Sequence, residues 1–433
     1  MNKEILRLAI PNILSNIAIP LLGLVDLTLM GHLGSEKYIG AIALGTMIFN
    51  FLYWGFAFLR MGTSGFTAQA VGRKDEKETS LLLYRSMSIA IIGGALIIFF
   101  QFPIEWLAMK LISGGEEVEN LTRYYFSIRI WAAPATIAMF SLSGWFIGMQ
   151  NAWIPMIISI VVNIANIALS MFFILVLGMT VEGVALGTVI SQYLGLLLGI
   201  FFIWKKYRNS LICFNIPQVF ESKELRRFMS VNSDIFFRTA CVILTFTFFT
   251  SKSAATNDLI LAANSLMLQF LMFFSYLIDG FAYAGEALVG KSIGEKSKQN
   301  LISVVKKLFA WGAGVAFLFS LIYIFGGEGI LRLLTSEESV IVTSRAYMKW
   351  VWLVPILSVS SFVWDGVYIG ATASKAMRNT LISSTFLFFF PLYFLLNSQL
   401  GNHALWIALL AFMGSRGLVQ TFLAGKAVFS QLD

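Results

Sequence analysis

Histidine, cysteine and charge are scarce in this chain. Of 433 residues, two are histidine, two are cysteine and 12% are charged. A soluble domain carries about a quarter charged residues, so half that value excludes an ordinary water-facing surface. His32 and His403 fall in expected external loops, and neither an HExxH run nor a cysteine pair occurs. An enzyme needing a metal cluster or a nucleophile–base pair is therefore not expected. Cys213 sits in a basic loop and Cys241 in an apolar run, which argues against a disulfide framework or a thiolate site. The opening MNKEILRLAIPN has no small-residue cleavage pattern, so the first span is expected to stay in the membrane. Dyad alternation is also missing, which excludes a membrane barrel.

What the chain has instead is hydrocarbon. It is 58% apolar, with a mean hydropathy of +0.79. Runs of about 20 apolar residues, enough to cross the bilayer as helix, recur throughout. They give twelve spans: 7–31, 38–65, 86–110, 122–149, 154–177, 183–204, 226–250, 257–285, 303–324, 342–370, 378–397 and 403–425. The expected fold is an all-α integral membrane protein. The net charge of +8 is not a nucleic-acid signal, because many of the charges lie in short loops. VGRKDEKETSLLLYR, the segment around WKKYR and ELRRF, GKSIGEKSKQNLISVVKK and TASKAMRN are basic and alternate with acidic ISGGEEVEN and TSEESV. The basic set predicts cytoplasmic loops and termini in a multi-pass plasma (inner) membrane protein.

The longest basic loop falls at the midpoint, and the two halves match across it. Lys3-Glu4 aligns with Lys223-Glu224, QAVGRK (69–74) with ALVGKS (287–292), and SGWFIGMQN (143–151) with DGVYIGATA (365–373). These near-constant offsets predict two parallel, pseudo-symmetric six-helix lobes, 1–204 and 226–433, joined by a loop at 205–225. Two such lobes suit a rocking transporter, although function has to be argued from sites.

The sites are charges in the wrong solvent. After Arg7, the only charge through residue 34 is Asp26, and a carboxylate in hydrocarbon is unfavourable by roughly 2.5–3.5 kcal/mol. At 1.5 Å per residue, Asp26, Ser170 and Thr188 fall within about 3 Å of one depth, with Asn166 one turn deeper on the face of Ser170. A carboxylate, an amide oxygen and two hydroxyls at matched depth suit a proton or cation, including Na⁺ at Asp26, Asn166 and Thr188. Pro11 and Pro20 each remove a backbone bond, which makes the Asp26 helix bendable. A second set, Arg60, Asp234, Arg238, Asp279, Glu286 and Asp365, is expected near the cytoplasmic side as a C-lobe cavity or gate network. Within it Asp234 and Arg238, spaced i and i+4, read as an ion pair.

The stretches PLLGLVDLTLMGHLG, FLRMGTSGFTAQAVG, NIANIALSMFFILVLGMTVEGVALGTVISQY, DGFAYAGEALVGKSIG and DGVYIGATASKAMRN resemble the multidrug and toxic compound extrusion (MATE) family, in its DinF-like branch. The resemblance spans essentially the whole chain. It implies an antiporter that exports drug-like, amphipathic or organic-cation substrates in exchange for H⁺ or Na⁺; no cofactor and a monomer are expected. It also implies that Asp26 is the cation-coupling residue of the N-lobe, assisted by Asn166 and Thr188. Where the family often has a second carboxylate, this chain has Ser170. With one carboxylate, protonation neutralises the site completely, which favours H⁺. A flippase for lipids or lipid-linked sugars is the alternative, and a passive channel or receptor is disfavoured by the duplicated halves.

Overall fold

The structure, a computed structural model, describes residues 1–31, 36–111, 115–212 and 214–432, and for 19–31, 36 and 111 the backbone alone. Helix α1 spans Asn2–Gly31. Eleven further helices are long and apolar enough to cross a membrane: α2 Lys37–Gly72, α3 Glu76–Phe99, α4 Glu116–Gly148, α5 Trp153–Val176, α6 Val181–Ser210, α7 Ser222–Thr256, α8 Asp258–Gly294, α9 Lys298–Leu334, α10 Met348–Gly370, α11 Ser374–Leu400 and α12 Asn402–Leu432. No strand occurs among the described residues. The expected all-α membrane fold is what forms, because only helices satisfy every backbone group within one segment in lipid.

Span boundaries shift where polar residues continue a helix beyond the hydrocarbon. The stretch from Glu76 to Arg85, read above as loop, is nearly the first three turns of α3. Asp75 caps that helix by accepting the Glu78 amide at 2.9 Å, and Glu76 and Glu78 in the first turn complement its dipole. The helix ends at Phe99, and the rest of the expected third span forms a separate helix, Gln101–Leu111. His403 likewise lies within α12, not in a loop, and its Nδ1 accepts the Trp350 indole N–H at 3.0 Å.

The duplication is written in the backbone. Among the described residues, all positive φ angles occur in pairs about 222 residues apart: Lys74 (56°) with Lys296 (55°), Gln150 (61°) with Thr372 (51°), and Gly178 (66°) with Gly401 (51°). At the first two pairs the bonding repeats as well. Lys74 donates to the Val71 carbonyl and Asp75 to Ala70, while Lys296 donates to Ile293 and Ser297 to Ser292. This is the Schellman ending, in which one left-handed residue turns the chain back to satisfy the last carbonyls.

Helix crossings repeat too. A Cβ on Gly144 would lie 2.2 Å from the Arg60 carbonyl oxygen, and one on Gly366 would lie 2.2 Å from that of Ala282. Only glycine allows α2 to meet α4, and α8 to meet α10, that closely.

The chain divides into two compact units, one of residues Leu14–Phe228 and one of Met1–Ile13 with Met229–Asp433. This division differs from the sequence boundaries: the linker goes with the first unit, and the opening turns of α1 go with the second. In the first unit, Leu83, Leu142, Trp145, Phe146, Ile154, Ile158 and Val162 form a continuous core, into which Trp145 also donates to the Thr79 carbonyl at 2.9 Å.

Candidate functional site

The first-unit site is built where α5 meets α6. Small residues make the approach possible: a Cβ on Gly187 would fall 2.6 Å from the Ser170 hydroxyl. One residue on, the Thr188 hydroxyl donates to the Val184 carbonyl at 2.9 Å and accepts the Asn166 amide at 3.0 Å. Asn166 and Ser170 are buried, yet Asn166 Oδ1 and Ser170 Oγ have no hydrogen-bond partner among the described residues. Buried polar atoms are nearly always paired, so two adjacent orphans call for an explanation. An amide oxygen and a hydroxyl left open beside a helix backbone are the ligands a hard cation or a hydronium ion would use. Immediately beyond Ser170, α5 widens into a π turn over Phe172–Val176, a distortion frequent at functional sites.

The structure thus brings together Asn166, Ser170 and Thr188. Asp26 lies on α1, but its side chain is outside the described residues, as are the side chain of Pro20 and all of His32 and Cys213. Pro11 is buried within α1. Sequence reading missed Asn163, one turn before Asn166, whose amide donates at 3.4 Å to the Ala18 carbonyl of α1. The signal was the NIAN spacing, which puts both amides on one helical face.

The second unit holds a charge cluster. Asp365 on α10 takes Arg238 of α7, Arg416 of α12 at 2.7 Å and Gln420 of α12 at 2.9 Å. Asp234 pairs instead with Arg378 at 2.5 Å and accepts the Ser374 hydroxyl at 2.8 Å. The expected Asp234–Arg238 ion pair is therefore wrong: i, i+4 spacing allows a bond, but each side chain finds a better-oriented partner on another helix. Asp279 accepts the Ser275 hydroxyl at 3.1 Å, and Glu286 is buried on α8. Arg60 lies on α2, in the unit of residues Leu14–Phe228. Arg416 was overlooked although a lone charge in MGSRGLVQ carried the same signal as Asp26.

A third charge, Arg129 on α4, was also missed. One of its terminal nitrogens, Nη1, donates to the Tyr125 hydroxyl at 2.5 Å and to the Thr46 hydroxyl at 3.0 Å. The guanidinium carbon lies 4.9 Å from the Phe49 ring centre and 5.4 Å from that of Tyr125. No group of three or more His, Cys, Asp or Glu able to hold a metal occurs among the described residues.

Against known proteins, the MatE family model matches residues 11–172 and 235–395, one copy in each half. The DNA damage-inducible protein F of Escherichia coli is 37% identical over 417 residues, covering 96% of this chain and 90% of that protein. The probable multidrug resistance protein NorM of Thermotoga maritima is 23% identical, covering 98% and 93%. A solved MATE structure in a bent conformation superposes with a TM-score of 0.88 at 19% identity, covering all of this chain and 96% of that one.

Proposed function

This chain is a member of the MatE family of multi-pass membrane transporters, which are not enzymes, and from that membership we propose that it is a secondary active exporter of drug-like or organic-cation substrates. Uptake of H⁺, or alternatively Na⁺, at the α5–α6 site with Asp26 drives the export. The observation that carries this reading is the pair of buried oxygens, Asn166 Oδ1 and Ser170 Oγ, that have no partner among the described residues.

In this scheme Asp26 is neutralised by the ion from outside. Loss of the bare charge changes the preferred bend of α1, a continuous helix that carries Pro11 and Pro20. Substrate is displaced outward and the lobes then rock to release the ion inward. Ion and substrate must favour different states, as any population shift requires. Ser170 in place of a second carboxylate favours H⁺, since one proton cancels the site's charge. Both termini face the cytoplasm across the inner membrane, and the chain works as a monomer.

The test is efflux from proteoliposomes with wild type and Asp26→Asn, under a pH gradient and a Na⁺ gradient imposed separately. The proposal expects the variant to lose transport under the coupling gradient. Equal transport by variant and wild type under both gradients overturns the assigned role of Asp26.

A further inference from the structure

Arg129 differs from the other intramembrane arginines in its surroundings. Arg85 approaches Glu78 at 3.5 Å, Arg238 and Arg416 converge on Asp365, and Arg378 meets Asp234. Arg129 reaches no carboxylate among the described residues; its bonds go to the hydroxyls of Tyr125 and Thr46. A cation in a membrane span is unfavourable unless something compensates it, so the missing anion is informative.

The geometry says what would fit. Both bonds use Nη1, and the guanidinium carbon lies within 5.4 Å of the centres of the Phe49 and Tyr125 rings, so the group is restrained from two sides. The edge formed by Nε and Nη2 makes no hydrogen bond among the described residues, and Nε is buried there. That edge presents two parallel N–H groups, the arrangement that accepts a carboxylate, sulfonate or phosphate in bidentate fashion. Tyr53 lies in the same aromatic niche, its ring 5.7 Å from that of Phe49, and its hydroxyl is buried. Pre-organisation of this kind reduces the ordering cost of binding.

We propose that Arg129, with Phe49, Tyr53 and Tyr125 around it, binds the anionic head of an amphipathic molecule. The chain then accepts amphipathic anions or zwitterions as well as organic cations. This rests on the reading of the chain as a carrier of amphipathic substrates, but the test needs no gradient, so its failure is separable from failure of the efflux assay.

The full chain in neutral detergent is titrated with two matched fluorescent probes, a dansyl alkyl carboxylate and a dansyl alkyl trimethylammonium of equal chain length. The carboxylate binds wild type, and Arg129→Met weakens it about tenfold, the usual size of a lost charged hydrogen bond. Binding of the ammonium probe is not weakened. Arg129→Lys, which keeps charge without the fork, gives an intermediate loss. If Arg129→Met does not fold, wild type alone decides: salt must weaken the carboxylate probe and not the ammonium probe. Added phosphatidylglycerol, compared with phosphatidylcholine, separates two sources of the same chemistry. Displacement by phosphatidylglycerol assigns the site to a lipid headgroup, and insensitivity assigns it to a transported molecule. Equal carboxylate affinity in wild type and a folded Arg129→Met, or salt-independent carboxylate binding by wild type, overturns the proposal.

Discussion

The Asn166 amide and the Thr188 hydroxyl meet at 3.0 Å across α5 and α6, while the amide's own oxygen is buried and unmatched among the described residues. Thr188 holds Asn166 in one orientation, so that Oδ1 points away from it. Thr188→Val keeps the shape, removes the acceptor and frees the amide to rotate. Ion-driven efflux is expected to fall about tenfold, with Thr188→Ser near wild type. Initial rates in proteoliposomes under the coupling gradient check this.

Ser170 separates stability from function. A buried hydroxyl without a partner contributes nothing to the fold and carries a desolvation cost of about 1–3 kcal/mol. Ser170→Ala should therefore leave the melting temperature in detergent unchanged or raise it, while efflux falls. A lower melting temperature would mean that the hydroxyl does find a structural partner.

The glycine crossings permit no side chain. Gly144→Ala and Gly366→Ala each drive a methyl to 2.2 Å from a backbone oxygen, and overpacking of this kind typically costs about 1–3 kcal/mol or more. Both variants should melt several degrees lower or fail to accumulate. Gly414→Ala, on α12 with nothing within 4 Å of the added carbon, is the control. It should be neutral or up to about 1 kcal/mol stabilising, because alanine favours helix.

Asp365 joins three helices, so its removal should be worse than removal of the whole cluster. Asp365→Asn strands Arg238 and Arg416 without a carboxylate, and breaking a buried pair costs about 3–5 kcal/mol. Thermal unfolding of Asp365→Leu combined with Arg238→Met and Arg416→Met should recover part of that loss. If the triple variant is less stable than Asp365→Asn, the cluster stabilises the fold through its charges.

The left-handed helix ends carry a cost that can be relieved. Lys296 sits at φ 55°, where a Cβ is unfavourable by roughly 1–2 kcal/mol. Lys296→Gly should raise the melting temperature slightly, as should Lys74→Gly at the matching turn.

Helix number and the duplicated halves were legible because they depend on run length and on glycines and charges spaced 218 to 222 residues apart. Helix ends were less so: Glu76–Arg85 is too polar to count as a span, yet a good cap and acidic first turn make it helix. At the sites, depth matching gathered Asn166, Ser170 and Thr188, since 1.5 Å per residue is fixed by geometry. Partners among the long side chains were not legible. Arg238 prefers Asp365, 127 positions away, over Asp234 on its own helix, and nothing local encodes that choice. Arg129 escaped notice because its partners are hydroxyls and rings, which leave no charge pattern to read.

The membership of residues 1–13 in the unit that begins again at Met229 bears on biosynthesis. Ile5, Leu8 and Ala9 are almost wholly covered, and the glycine at 280 lies against Ala9 and Ile13. A ribosome delivers those opening turns more than two hundred residues before their neighbours exist. Residues 1–13 are thus made well before the stretch that houses them, and maturation is complete only once the later half has been inserted.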